Sequence, residues 1–209
     1  TNTSFVDGTV ILSGGRLSSA ANLHLNRAFT WSGGSLLGSG ALITDGTSTL
    51  STITTKFVNM DWTNNGIVDW NDGDLQVLGS TVLLTNAGSG IFNAASAGNE
   101  LQLNDGSFNN QGAYNADASH TIRQVSIGAT SFDNDGTVTI ASAQTLTVEV
   151  PGTDTGLWTG AGSLIFDTYI RDLDSGASVN LATGSFTVAG GTVNFNAGSS
   201  LIIGNLASV

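Results

Sequence analysis

Apolar and polar residues alternate along much of this chain, and the alternation breaks at intervals on corners of Asn and Gly. One unit, apolar–any–Asn–any–Gly, occurs as Trp62–Thr63–Asn64–Asn65–Gly66, Leu84–Thr85–Asn86–Ala87–Gly88, Phe108–Asn109–Asn110–Gln111–Gly112 and Phe132–Asp133–Asn134–Asp135–Gly136. Its apolar anchors Trp62, Leu84, Phe108 and Phe132 return at nearly equal intervals. A looser form with Gly in place of Asn extends the series back to Leu36 and forward to Trp158, each at a slightly longer interval. Leu12 stands one further interval before Leu36, and Leu181 and Ile203 are read as the last anchors.

The register continues past each corner. Six residues after the anchors stand Leu42, Val68, Gly90, Tyr114, Val138 and Leu164; eight after stand Thr44, Trp70, Phe92, Ala116, Ile140 and Phe166. Two mainly apolar columns two residues apart are the period of a strand with one buried face. The column between them (Ile43, Asp69, Ile91, Asn115, Thr139, Ile165) is mixed, as an outer face would be. Leu23–His24–Leu25, Leu75–Gln76–Val77, Leu101–Gln102–Leu103 and Leu146–Thr147–Val148 read as strands of another sheet.

A single coil cannot bury such a face alone, so the repeat predicts stacking. The expected fold is all-β: a right-handed parallel β-helix (β-solenoid) of about nine coils of roughly 24 residues, with residues 1–209 forming one domain. Asn64, Asn86, Asn110 and Asn134 are expected at turns, where they can also bond to one another along the axis. Gly66, Gly88, Gly112 and Gly136 are expected to supply positive φ at the corners. A β-sandwich has no reason to repeat such a corner at fixed spacing, and a propeller blade needs about twice the residues per unit. No segment carries capped helical periodicity, so little helix is expected.

Composition narrows the function classes. Only 10% of the 209 residues are charged and 40% are hydrophobic, which is too apolar for a disordered chain. Lys56 is the sole lysine, and with Arg16, Arg27, Arg123 and Arg171 it faces sixteen acids, for a formal net charge of −11. Too few cations are present to replace phosphate counterions, so no nucleic-acid partner is expected, nor membrane insertion. Without cysteine there is no disulfide framework and no thiolate metal site.

Trp31–Ser32–Gly33–Gly34–Ser35–Leu36–Leu37–Gly38–Ser39–Gly40–Ala41–Leu42 and Phe132–Asp133–Asn134–Asp135–Gly136–Thr137–Val138 resemble repeats of very large bacterial secreted and surface proteins. These are adhesin-like, filamentous-haemagglutinin-like or autotransporter-passenger-like β-helical chains. The resemblance implies an extracellular or cell-surface location and a structural or adhesive role. It transfers no catalytic residue.

Candidate chemistry is sparse. His24 and His120 are isolated and read as surface histidines, so no zinc or His-base site is expected. Asp69, Asp72 and Asp74 cluster beside Trp70, and Asp172 and Asp174 flank Arg171. Either group could supply a carboxylate pair for a glycan or a weak Ca²⁺ site, although Trp70 falls in a core column. The acids fall at different offsets from their anchors and otherwise read as acidic turns. A Thr-x-Thr array of the ice-binding kind is confined to Thr137–Val138–Thr139. Leu201–Ile202–Ile203–Gly204–Asn205–Leu206 is apolar and offers no polar cap, so the end is expected to meet more of a longer chain or another copy. The sequence therefore predicts a non-enzymatic structural or adhesive module. The alternatives are a carbohydrate-binding or carbohydrate-active β-helix, with host or matrix glycans or proteins as ligands, and a self-assembling extracellular filament subunit.

Overall fold

The computed structural model describes residues 3–204, and Asn205 and Leu206 of the expected apolar terminus lie outside them. The described chain is a parallel β-solenoid of about nine coils. Each coil contributes three short strands, as in Trp62–Asn64, Ile67–Trp70 and Leu75–Leu78, and every strand pairs in parallel with its counterpart one coil away. A seven-stranded sheet runs from Thr3–Val6 to Phe132–Asn134, a ten-stranded sheet from Val10–Leu12 to Ser200–Ile203, and a nine-stranded sheet from Arg16–Ser18 to Phe186–Val188. A three-stranded sheet, beginning at Gly152–Asp154, follows the seven-stranded one along the same side. No helix occurs among the described residues, so none is long and apolar enough to cross a membrane.

Alternation within each strand sends every second side chain into the core. Trp31, Trp62, Trp70, Phe92, Phe108, Tyr114, Phe132 and Trp158 are all buried. Their rings form a run along the axis: Phe108 lies 5.5 Å from Phe92 and 5.2 Å from Phe132, which lies 5.9 Å from Trp158. Because successive coils offer rings of similar size at neighbouring levels, the stack packs at edge-on and offset geometries.

The observed coils average about 22 residues, fewer than expected. Val148 pairs with Phe166 across a short coil, whereas Leu75 pairs with Leu101 across a much longer one. Corners absorb the difference. The register Trp62–Leu84–Phe108–Phe132 holds as read. Its outward extension does not: Trp62 pairs with Leu42, while Leu36 stacks in the nine-stranded sheet and Leu12, Trp158, Leu181 and Ile203 in the ten-stranded one. Val68, Tyr114 and Val138 do share a column, but Phe92 fills the place assigned to Gly90, because the corner before it is longer. Leu23–Leu25 belongs to the seven-stranded sheet, apart from the Leu75 and Leu101 strands.

The asparagines are not turn residues. Asn64, Asn86, Asn110 and Asn134 end their strands facing inward, fully buried. The amide Nδ2 of each of the first three donates to Oδ1 of the next at 2.8 Å, and Thr44 Oγ1 donates into the start of the chain at Asn64 Oδ1. The axial bonding anticipated for these residues is therefore present, inside the core.

The glycines are required for another reason than expected. Gly66, Gly88, Gly112 and Gly136 do not adopt positive φ. A Cβ on Gly66, Gly112 or Gly136 would collide with the carbonyl oxygen of the coil below, Gly46, Gly90 and Gly112 respectively. Those same carbonyls accept amides of the next coil: Ile67 N–H bonds to Gly46 O, Ala113 N–H to Gly90 O and Thr137 N–H to Gly112 O. Gly88 stands outside this column in the widened corner, and Gly90 takes its place.

Candidate functional site

The polar outer face of the nine-stranded sheet gathers more charge than any stretch singled out by sequence. Asp74 Oδ1 accepts the Glu100 amide at 2.9 Å, and Gln102 Nε2 donates to Glu100 Oε2 at 2.9 Å. Arg123 donates to Glu100 Oε1 at 2.9 Å and lies 3.8 Å from Glu149. These carboxylates raise the Arg123 guanidinium further above its ordinary value, chiefly through the Glu100 hydrogen bond. Beside them is a cleft of about 220 Å³, lined by Gly98, Asn99, Ser119, Thr121, Thr145 and Thr147, with Glu100 and the edge of His120. Parallel register puts Thr121 directly over Thr147, so the cleft wall is a short stack of hydroxyls.

Of the sequence candidates, Asp72 and Asp74 approach this face. Asp72 Oδ1 is occupied by the Gly73 amide at 2.8 Å and by Asn99 Nδ2 at 3.3 Å. Asp69 does not join them. It points out from the ten-stranded sheet, where Asn93 Nδ2 donates to it at 2.8 Å and Asn115 donates to Asn93 at 2.9 Å. Trp70 is fully buried, with its indole N–H bonded to Gly73 O at 2.6 Å, and offers no stacking surface. Among the described residues no three His, Asp or Glu side chains converge as metal ligands.

The second acidic group also separates. Arg171 faces inward and is 2% exposed, while Asp172 and Asp174 face outward and accept Nδ2 of Asn194 and Asn196 at 2.7 Å each. Arg171 is spent on Asp154: Nε bonds Oδ2 at 2.7 Å and Nη2 bonds Oδ1 at 2.5 Å, with Nη2 also on Phe132 O at 2.6 Å. Its guanidinium lies 5.0–5.5 Å from the rings of Phe132, Trp158 and Phe166. Burial pushes the Asp154 carboxyl up, opposed by Arg171, the Asn134 amide and the Trp158 indole.

Two more buried polar groups were invisible as sites. Lys56 is fully buried and places its three ammonium donors on Thr52 O, Thr54 O and Asp72 O at 2.7, 2.8 and 2.8 Å. Burial pulls it below the usual lysine value, with Asp72 and Asp74 opposing. His120, expected at the surface, is 5% exposed. Its Nε2 meets the Tyr114 hydroxyl at 2.7 Å and its Nδ1 meets Ala118 O at 2.8 Å. Desolvation lowers the imidazole to about 4, so the ring is neutral near pH 7, with Nδ1–H donating to Ala118 and Nε2 accepting from Tyr114. His24 does sit on the outer face, 3.3 Å from Asp45 and 5.0 Å from the Phe5 ring.

The signal for all three inward groups was parity. Lys56 shares its strand face with Val58, His120 with Ile122 and Arg171 with Leu173. No protein-family model matches this chain, and no curated protein or solved structure matches it either.

Proposed function

We propose that this chain is a structural or adhesive β-solenoid module of a bacterial secreted or cell-surface protein, acting as a stiff spacer that presents its outer faces. The supporting observation is that polar side chains are used to tie one coil to the next. Inside, Asn64, Asn86, Asn110 and Asn134 form an axial chain; outside, Asp69, Asn93 and Asn115 form a second. Bonds along the axis, added to backbone ladders on every side, resist bending and separation of coils. The acidic surface favours solubility of a rod with so few charges.

A carbohydrate-binding reading is favoured by one feature, the hydroxyl-lined cleft beside Glu100 and Arg123. Single-molecule pulling along the rod axis tests the spacer reading, with unfolding expected as a high-force, coil-by-coil series. Extension at low force without discrete steps would refute it. Screening the chain against immobilised glycans tests the second reading, and binding lost in Glu100→Gln or Thr147→Val would replace a passive spacer with a lectin-like surface.

A further inference from the structure

We propose that the outer face of the nine-stranded sheet carries, near its N-terminal end, a binding cleft for a small carboxylate with an apolar body. This goes beyond the spacer reading, which needs no ligand. The cleft measures about 180 Å³ and is lined by Arg16, Ser35, Leu37, Phe57, Asn59 and Leu78. Parallel register places Arg16, Ser35 and Phe57 in one outward column, and Leu37 beside Asn59 in the next. Leu37, Phe57 and Leu78 point outward where strand alternation would ordinarily put polar residues, and all three remain partly exposed.

Charge selects the occupant. Lys56 and Arg171 are buried on internal partners, and Arg123 sits between Glu100 and Glu149. Arg16 is exposed and forms no ion pair among the described residues, yet it borders an apolar hollow. A planar guanidinium with open donors matches a carboxylate in two parallel hydrogen bonds. The leucines and the Phe57 ring would cover an apolar ring or short chain, and Ser35 and Asn59 supply the remaining polar edge. A heavily hydroxylated body would leave its hydroxyls unpaired against Leu37 and Leu78, which costs affinity. The volume suits one ring bearing one carboxylate.

Phenylacetate is the probe, titrated into the full chain and followed by amide NMR. Saturable shifts centred on Arg16, Ser35, Phe57 and Asn59 are expected, with a Kd of about 1 mM for so small a ligand. Arg16→Gln, an exposed change that leaves thermal unfolding intact, should weaken binding about tenfold, as should replacing the probe by uncharged 2-phenylethanol. Absence of saturable shifts at Arg16 and Phe57 overturns the proposal, as does equal binding of 2-phenylethanol. Glucuronate binding as tightly as phenylacetate would overturn the apolar-body requirement and return the cleft to sugars.

Discussion

At the level of single residues, the core tolerates polar groups where donors and acceptors are matched. Asn110 receives from Asn86 and donates to Asn134 and to Thr137 O. Asn110→Leu should therefore destabilise by about 3 kcal/mol, since it strands two neighbouring amides in a dry interior, and urea unfolding measures it. Lys56→Met removes the ammonium from three carbonyls that water can partly reach and should cost less, about 1–2 kcal/mol. His120 makes a pH prediction. Its folded value of about 4 lies below the ordinary value of 6.5, so between those values the unfolded chain binds a proton that the folded chain refuses. Stability is complete above the upper value and falls as pH drops towards the lower, by about 3 kcal/mol for a shift of this size. Chemical unfolding of His120→Gln should show a shallower loss than the parent across the same window, and identical profiles would refute neutral burial of the imidazole.

Among the elements, one junction differs from the rest. Between Phe132–Asn134 and Gly152–Asp154 the seven-stranded sheet ends: backbone bonds remain only at the edges, from Phe132 N–H to Pro151 O and from the Thr155 and Gly156 N–H groups to Asn134 O, and side chains bridge the middle. The Asn134 amide bonds to Asp154 Oδ1 and the Thr153 amide to Asp133 Oδ1, while Phe132 O takes the Arg171 guanidinium. A buried pair such as Asp154–Arg171 stabilises little over an apolar replacement, but removing one partner leaves an uncompensated charge in the core. Arg171→Met is expected to destabilise by about 3–5 kcal/mol, with hydrogen exchange at residues 132–134 and 152–154 accelerating before that of the flanking coils. The double change Asp154→Leu/Arg171→Met should recover much of the loss, and uniform acceleration along the rod would show that the junction is not a separate unit. Among the described residues Arg171 Nη1 has no hydrogen-bond partner.

For the molecule as a whole, about nine coils at the usual strand spacing of ~4.8 Å make a rod about 40 Å long. Small-angle scattering should report an elongated particle, and a compact sphere of the same mass would contradict the fold. The last described coil exposes residues that stand in inward columns elsewhere: Phe195 follows Leu173 and Leu201 follows Val179, at 43% and 45% exposure against full burial.

The fold class was legible from residues 62 to 140, where the Asn corner returns at nearly equal intervals and strand period fixes which side chains point inward. The outer coils were misregistered because a Gly-rich corner can follow any of the three strands. Leu36–Gly40 and Trp158–Gly162 mimic the Trp62 unit from different sheets. Alternation and repetition are local properties, so the chain's own pattern was enough for a stacked parallel solenoid, but it left His120 at the surface and Arg171 beside Asp172 and Asp174. Stacking settled which coil each strand pairs with, that Gly66 is needed for a neighbouring carbonyl and not for its φ, and that Arg171 meets Asp154 instead of Asp172. Those outcomes depend on corner lengths, which carry no period, and on contacts between residues about twenty positions apart that exist only once the coils are stacked.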